Sequence, residues 1–318
     1  MPPTDSGEER SLLDYFGLPF FYRHASTTQM RRGMFWLGFV GLLMLLFINV
    51  LFMPHAPDSA MAALRRAVFS TGARYPSVES GLESLFHQMF VIAIIFAGVF
   101  SPLLSTFSFS SERVNGTLEF LRLSPMPTLS IVIGKMFAPA WSLLKFAGLL
   151  LLLGVVFGAC AGLDPANISL ALLCIVLSCA TVHAIGAYFA SFTTLGRGFG
   201  SLVGLGTVTF FFYILPMGSW QERGFPFLAF LSPWGAMDAL FWKNFSWSMR
   251  YTQEPQFLGY VGAVKFYVLG FHLLAFSMLS WAAARKLDAP ERPALPRRGW
   301  CVVWLFGLIT TLGIVANG

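Results

Sequence analysis

The chain has 318 residues, of which 56% are hydrophobic and only 11% charged, and its formal net charge is +6. Roughly a quarter of the residues in a soluble domain are charged, so these values exclude a water-soluble domain and a disordered chain. The 21 Lys and Arg residues are spread between apolar runs and form no patch with interleaved aromatic residues, which argues against nucleic acid as a partner. All four Cys residues lie in apolar stretches, where a thiol behaves as a small hydrophobe and not as a metal ligand. The composition therefore predicts an integral membrane protein without a metal site.

The first 33 residues precede any apolar run long enough to cross a membrane. Residues 12–24 are rich in aromatic and leucine side chains but are too few to span, which is typical of a helix lying in the membrane interface. We therefore predict that residues 1–33 form a cytoplasmic leader with an interfacial elbow helix.

Crossing ~30 Å of hydrocarbon as a helix takes about 20 mostly apolar residues. Six such runs lie within residues 34–284, and a shorter seventh follows a basic, proline-containing linker in residues 285–318. The seven predicted spans are residues 34–53, 89–111, 131–163, 168–192, 201–217, 266–284 and 300–315. The sequence thus predicts an all-α polytopic membrane protein with six core spans and a seventh at the C-terminus.

The distribution of positive charge predicts the orientation of these spans. Most Lys and Arg residues fall in segments that lie inside if the N-terminus is cytoplasmic, and such a bias marks the cytoplasmic side. This predicts a multi-pass protein of the cytoplasmic (inner) membrane with a cytoplasmic N-terminus. Residues 218–256, which are rich in Trp and Phe, would then form an outer segment at headgroup level.

The loop between the second and third spans has the pattern of a short amphipathic helix over about residues 111–124. At 100° per residue, two faces separate: an apolar one with Val114, Thr117, Leu118 and Leu121, and a polar one with Glu112, Asn115, Glu119 and Arg122. Ser111 and Glu112 suit a helix start, and Pro125 suits its end. From physics alone, a solvated connector explains the pattern as well as a helix that binds a partner.

Several short motifs in and after this loop resemble the signature of type-2 ABC exporter permeases. They are Glu112-Arg113, Gly116-Thr117-Leu118-Glu119, Leu123-Ser124-Pro125 and Gly134-Lys135. The resemblance covers roughly the first 285 residues; the seventh span departs from the six-span pattern of the family. It implies that this loop is the cytoplasmic coupling helix that docks on an ABC ATP-binding subunit, through Glu112, Arg113, Gly116, Thr117, Leu118, Glu119 and Arg122. It also implies a second permease chain, either an identical copy or a close relative.

The chain lacks the motif that would let it hydrolyse ATP itself. A phosphate-binding loop needs Gly five positions before the Gly-Lys pair and Ser or Thr after it, but Gly134-Lys135 has Leu129 and Met136 there. We therefore predict no catalytic residue and no cofactor in this chain, with ATP and Mg on the partner and hydrolysis by the assembled complex. The predicted function is ATP-driven export of a substrate that the sequence does not identify. An ion-coupled secondary transporter and a non-transporting membrane scaffold or assembly factor are the alternatives.

Two polar residues at membrane depth are candidates for a transport pathway, because such residues are costly in lipid. Lys145 lies in the third span and His183 in the fourth. Each has a plainer explanation, since Lys145 could extend its charged end towards the interface and His183 could be an interhelical hydrogen-bond partner.

Glycine recurs at four-residue spacing in two places, which puts the members of each set on one helical face. The two sets are Gly154, Gly158 and Gly162 in the third span, and Gly196, Gly200 and Gly204 near the fifth. They predict close helix packing, either within the subunit or at a dimer seam.

Overall fold

A computed structural model describes residues 78–117, 123, 126–192, 206, 233, 240, 256–257, 260–261, 263–289 and 293–317. The first described helix, α1, is Val78–Ile95; it continues through a π-helical segment, Phe96–Phe100, into α2, Ser101–Val114. Next come α3, Thr128–Phe137, a 3₁₀ segment, Ala138–Ala140, α4, Trp141–Cys160, and α5, Pro165–Phe192.

The C-terminal part is also mainly helical. Two short antiparallel strands, β1 (Gln256–Phe257) and β2 (Tyr260–Val261), precede α6, Ala263–Asp288, and α7, Arg297–Asn317. Helix α7 packs on α6 through Phe306, whose ring centroid lies 5.5 Å from that of Tyr267 and 5.6 Å from that of Phe271. Most of its other large apolar side chains, such as Trp304 and Leu305, are exposed.

Four stretches of the described residues are helical, long and apolar enough to cross a membrane. They are Leu85–Val114, Thr128–Cys160, Pro165–Ser191 and Phe266–Asp288. The membrane character and the helical nature of the second, third, fourth and sixth predicted spans are therefore confirmed. The first and fifth spans and the elbow helix lie outside the described residues. Helix α7 covers the seventh, but its qualifying apolar stretch, Gly299–Thr310, is shorter, so crossing by this helix stays a prediction.

Two of the spans are interrupted near a proline. Proline removes one backbone hydrogen bond from a helix, and its ring clashes with the carbonyl one turn earlier. The π-helical segment ends two residues before Pro102, and its wider winding is visible in the bond from the Ser101 amide to the Phe96 carbonyl. The 3₁₀ segment contains Pro139, and there the Trp141 amide bonds the Ala138 carbonyl. Interruptions of this kind often mark functional sites.

The buried apolar side chains form two separate clusters. The first joins α1, α4 and the N-terminal part of α5 around Phe86, Phe90 and Phe146. The second joins α2, α3 and the C-terminal parts of α5 and α6 around Phe109 and Met136. Along α5, membership of the first cluster ends at Val182 and that of the second begins at Ala184. His183 therefore lies at the boundary between the two apolar cores.

Glycine in a left-handed conformation follows two of the helices. Gly162, with φ of 73°, follows α4, and the Leu163 amide bonds the Gly158 carbonyl at 3.0 Å while the Gly162 amide bonds that of Ala159. These two bonds define a Schellman cap. Gly116, with φ of 72°, follows α2 in the same way. Residues 111–114 are thus the last turn of α2 and not the start of a separate helix, because α2 continues beyond its apolar run until Gly116 turns the chain.

Candidate functional site

Four helices meet where α2 ends, and their small and medium-sized side chains pack closely there. Helix α5 contributes Ala184, Ala187 and Ala190, and α6 contributes Ala283, Ala284 and Leu287. Helices α2 and α3 complete this junction, which we call the inner junction. Because alanine faces let backbones approach closely, polar side chains from one helix can reach the backbone of the next.

A buried ion pair joins two helices of the inner junction. Lys135 lies in the last turn of α3 and is only 3% exposed, and its ammonium group contacts the carboxylate of Glu112 in the last turn of α2. The Glu112 side chain is about one-fifth exposed. A charge taken out of water is retained only with a partner, so this pair ties the end of α2 firmly to α3.

The residue next to Glu112 ties the same turn to a third helix. The guanidinium Nη1 of Arg113 donates a hydrogen bond of 3.1 Å to the carbonyl oxygen of Ala190 near the C-terminus of α5. Carbonyls in the last turn of a helix lack an intrahelical donor and carry the negative end of the helix dipole, so they favour a cation. Two consecutive side chains therefore fix the end of α2 to α3 and to α5.

The structure brings four of the seven predicted ATPase-coupling residues together at this point. Gly116 makes the turn that leaves α2, and the Thr117 hydroxyl donates to the Glu112 carbonyl at 2.9 Å. Glu112 and Arg113 make their contacts within the chain, whereas Leu118, Glu119 and Arg122 lie outside the described residues. Leu123 is 84% exposed.

The second candidate site surrounds His183 in the middle of α5. Its Nε2 lies 2.8 Å from Ser101 Oγ and its Nδ1 lies 2.8 Å from the Cys179 carbonyl oxygen. Since a carbonyl only accepts, Nδ1 carries the proton, and the Ser101 hydroxyl donates to Nε2. The Phe137 ring, directly before the 3₁₀ segment, has its centroid 5.2 Å from the imidazole. His183 therefore touches both interrupted spans.

A neighbouring polar contact extends this layer to α6. The Thr181 hydroxyl lies 3.1 Å from the carbonyl oxygen of His272, and its oxygen is 3.3 Å from the Nδ1 of the same residue. Both His183 and His272 are buried. The prediction that His183 makes an interhelical hydrogen bond agrees with this geometry, and a position between two interrupted helices is also what a pathway residue requires.

Lys145, the other pathway candidate, lies apart from His183 on the surface. It is exposed on α4, on the same helical face as Gly148, Leu149, Leu152 and Val156, which are exposed as well. That face carries one charge among apolar side chains.

The first glycine triplet divides into two roles. A Cβ added to Gly154 would lie 2.6 Å from the Phe90 ring, and one added to Gly158 would lie 2.8 Å from the Phe86 ring. These two glycines therefore pack α4 against α1 within the subunit. Gly162 lies beyond the end of α4 with nothing within 4 Å of an added Cβ, so it caps the helix and is not part of the packing face. Gly196, Gly200 and Gly204 lie outside the described residues.

Sequence reasoning did not identify Ser101 or Lys135 as site residues. The usable signals were the prolines at 102 and 139, because a proline inside an apolar span marks a break where neighbouring polar groups find partners. Within the described part of the chain, no three His, Cys, Asp or Glu side chains are grouped so that they could hold a metal ion.

No protein-family model matches the sequence, and no curated protein and no solved structure shows significant similarity to it. The assignment of a function therefore rests on the residues and the geometry described above.

Proposed function

We propose that this chain is the membrane permease subunit of an ATP-driven ABC exporter, with a separate cytoplasmic ATP-binding subunit and a second permease chain. The motifs from Glu112 to Lys135 that resemble those of type-2 ABC exporter permeases support it, and so does the set of membrane-spanning helices. In this proposal the ATP-binding subunit carries ATP and Mg, and the permease moves an unidentified substrate across the cytoplasmic membrane.

The single observation that carries the proposal is the attachment of the α2 terminus to two other helices. A segment that transmits force from a partner must be fixed to the body that it moves. The segment that follows α2 is joined to it at Gly116, within about one turn of Glu112 and Arg113, which bond Lys135 of α3 and Ala190 of α5. A push on this segment would therefore reach three helices at once, as a rigid-body movement requires.

Purification of the tagged full-length chain from its native membrane in mild detergent tests the proposal. We expect an ATP-binding subunit to copurify and the complex to hydrolyse ATP. Glu119→Gln should reduce both association and hydrolysis while membrane insertion is preserved, because a charged contact at an interface is costly to leave unpaired.

The matched control for this experiment is Asp164→Asn, which neutralises an exposed carboxylate at the far end of α4. Asn caps a helix as well as Asp does, so the substitution should preserve the local structure. Association should therefore be unchanged. Equal association of both variants with the ATP-binding subunit would remove Glu119 from the contact. Failure of any ATP-binding subunit to copurify would overturn the proposal.

One observation favours a second candidate function, an ion-coupled secondary transporter. Interrupted helices that meet at a buried ionisable side chain are typical of the ion and substrate sites of such transporters, and His183 lies against two of them. The described spans contain no buried Asp or Glu beside His183 in the polar layer, which makes this the weaker candidate. Recovery of the chain without an ATP-binding subunit would favour it.

A further inference from the structure

Hydroxyl groups line the buried side of α2 between the two candidate sites. Ser101, Ser105, Ser108 and Glu112 follow one another at spacings of four, three and four residues, which places them on one helical face. Ser101 bonds His183 at one end, and Glu112 bonds Lys135 at the other. These ends are eleven residues apart, or about 16 Å along the helix. Thr106, Ser110 and Arg113 form a second polar row, which lies roughly 140° further round the helix, with buried Phe109 between the two rows.

Three of the hydroxyls in these rows are buried without a hydrogen-bond partner. They belong to Ser105, Thr106 and Ser110, and a further one, that of Ser280 on α6, is in the same state. Leaving a buried hydroxyl unpaired costs free energy, and in lipid no solvent replaces the missing partner. Such a group in a native protein calls for an explanation, of which a bound water is the commonest.

Several Ser and Thr residues in the other described helices have paired hydroxyls. A Ser or Thr within a helix commonly bonds the carbonyl one turn earlier. Thr181 bonds Leu177 in this way, Ser277 bonds Leu273, and Thr310 bonds Phe306. Ser105, Thr106 and Ser110 do not, so their hydroxyls are available to a ligand.

We propose that the row from Ser101 to Glu112 lines a hydrated path that leads from the Glu112–Lys135 pair to His183, and that its ligand is water. Water fits because the unpaired Ser105 hydroxyl, which lies in this row, both donates and accepts and carries no charge that would hold an ion. The partly exposed Glu112 carboxylate provides the opening. The path goes beyond the proposed export function, since it gives the buried polar layer access to solvent in either transport class.

Single cysteines placed in a variant without native cysteines test the path directly. Residues 105 and 107 lie at nearly the same depth in the membrane, but Ser105 is buried while Phe107 is exposed on the outer face of α2. Silver ion is small, travels only through water and binds thiolate. Membrane fragments that are open at both faces are treated with silver and then denatured. A thiol that has bound silver is protected from maleimide, so the loss of maleimide labelling measures the reaction at each position.

We expect Ser105→Cys to react with silver at least about tenfold faster than Phe107→Cys, because a thiol facing lipid does not ionise. Ser101→Cys should also react, since the path ends at its contact with His183. Equal rates at 105 and 107 would overturn the proposal, and so would reaction at 105 without reaction at 101. The measurement involves no ATPase, so its outcome is independent of the proposed export function.

A second measurement does not rely on cysteine. If the hydroxyl of Ser105 is dry and unpaired, Ser105→Ala removes the free-energy cost of burying it without a partner and raises the melting temperature in detergent. If water pairs it, Ser105→Ala leaves the melting temperature unchanged or lowers it. A higher melting temperature for Ser105→Ala would therefore contradict the path.

Discussion

Single residues carry two kinds of polar contact in this protein, one charged and one neutral. The charged contact, between Glu112 and Lys135, closes the inner junction, and the neutral one, between Ser101 and His183, lies between the two apolar cores. Their environments make them unequal, because a buried charge without its partner is far more costly than a buried hydroxyl without one.

Removal of either charge of the ion pair should destabilise the protein, whereas removal of a similar exposed charge should not. Lys135→Met leaves the Glu112 carboxylate without its ammonium partner and should lower the free energy of unfolding by about 1–3 kcal/mol. This loss is smaller than that expected when a fully buried pair is broken, because Glu112 is partly exposed. Lys145→Met is the matched control at an exposed lysine and should change stability little. Thermal unfolding in detergent measures both.

Reversal of both charges gives an independent check of the same pair. Glu112→Lys combined with Lys135→Glu should be more stable than either single reversal, since contacting residues couple energetically. If Lys135→Met unfolds at the same temperature as Lys145→Met, or if the double reversal recovers nothing, the ion pair does not hold the inner junction together.

Residue-level roles were only partly predictable from the sequence. Glu112 stood out because it lies on the polar face of the loop pattern and in a motif that resembles those of exporter permeases, and His183 because an ionisable group within a membrane span is costly. Their partners did not, because the pairing of Glu112 with Lys135 depends on how α2 packs beside α3. A sequence pattern does not show which of several charged residues contact each other in the folded protein.

At the level of elements, the packing of α4 on α1 depends on two glycines that face aromatic rings. Phe86 and Phe90 have ring centroids 4.4 Å apart and occupy the space that Gly158 and Gly154 leave open. Gly154 and Gly158, which share the four-residue spacing, both lie against α1. Gly162 has the same spacing but lies beyond the end of α4, because periodicity alone does not show where a helix ends.

Gly154→Ala and Gly148→Ala should have opposite effects although both place alanine in α4. At Gly154 the new methyl group would lie 2.6 Å from the Phe90 ring, so overpacking should cost about 1–3 kcal/mol. At Gly148 nothing lies within 4 Å, and alanine should stabilise the helix by up to about 1 kcal/mol. Melting temperatures in detergent distinguish them, and equal melting temperatures would contradict the close contact between α4 and α1.

The interruptions of two spans were invisible to the search for apolar runs. Average hydropathy treats Pro102 and Pro139 as mildly polar positions, whereas their effect on the helix is a missing amide and a steric clash. The span from α3 through α4 was therefore predicted as one helix, 131–163, and the structure divides it at Ala138–Ala140.

At the scale of the whole molecule, the path of the chain fixes relative sides of the membrane. Thr128–Cys160 is one spanning stretch, so the segment before it and the turn after it lie on opposite sides. In the proposed orientation, Leu123 faces the cytoplasm and the turn at residues 161–164 faces outward. Hydropathy was sufficient to predict this spanning stretch, because it depends on sequence order and not on packing; the orientation stays a prediction from positive charge.

Cysteine labelling of intact cells tests the orientation. In a variant without native cysteines, Leu123→Cys should be protected from an impermeant thiol reagent added outside, and Ala166→Cys should react, because both positions are exposed but lie at opposite ends of the same span. Permeabilised cells provide the control in which both react. Labelling of position 123 alone in intact cells would invert the proposed topology, and labelling of both would contradict the spanning stretch between them.

The short turn capped by Gly162 has a consequence for biogenesis. Only residues 161–164 separate α4 from α5, so the translocation machinery receives the two helices as one hairpin. Between Lys145 and Arg197 the sequence contains a single charged residue, Asp164. In the proposed orientation, insertion of some fifty residues therefore requires the transfer of one carboxylate across the bilayer. The Schellman cap closes this hairpin through backbone bonds alone, so the turn can form before the part of the chain that follows α5 has been synthesised.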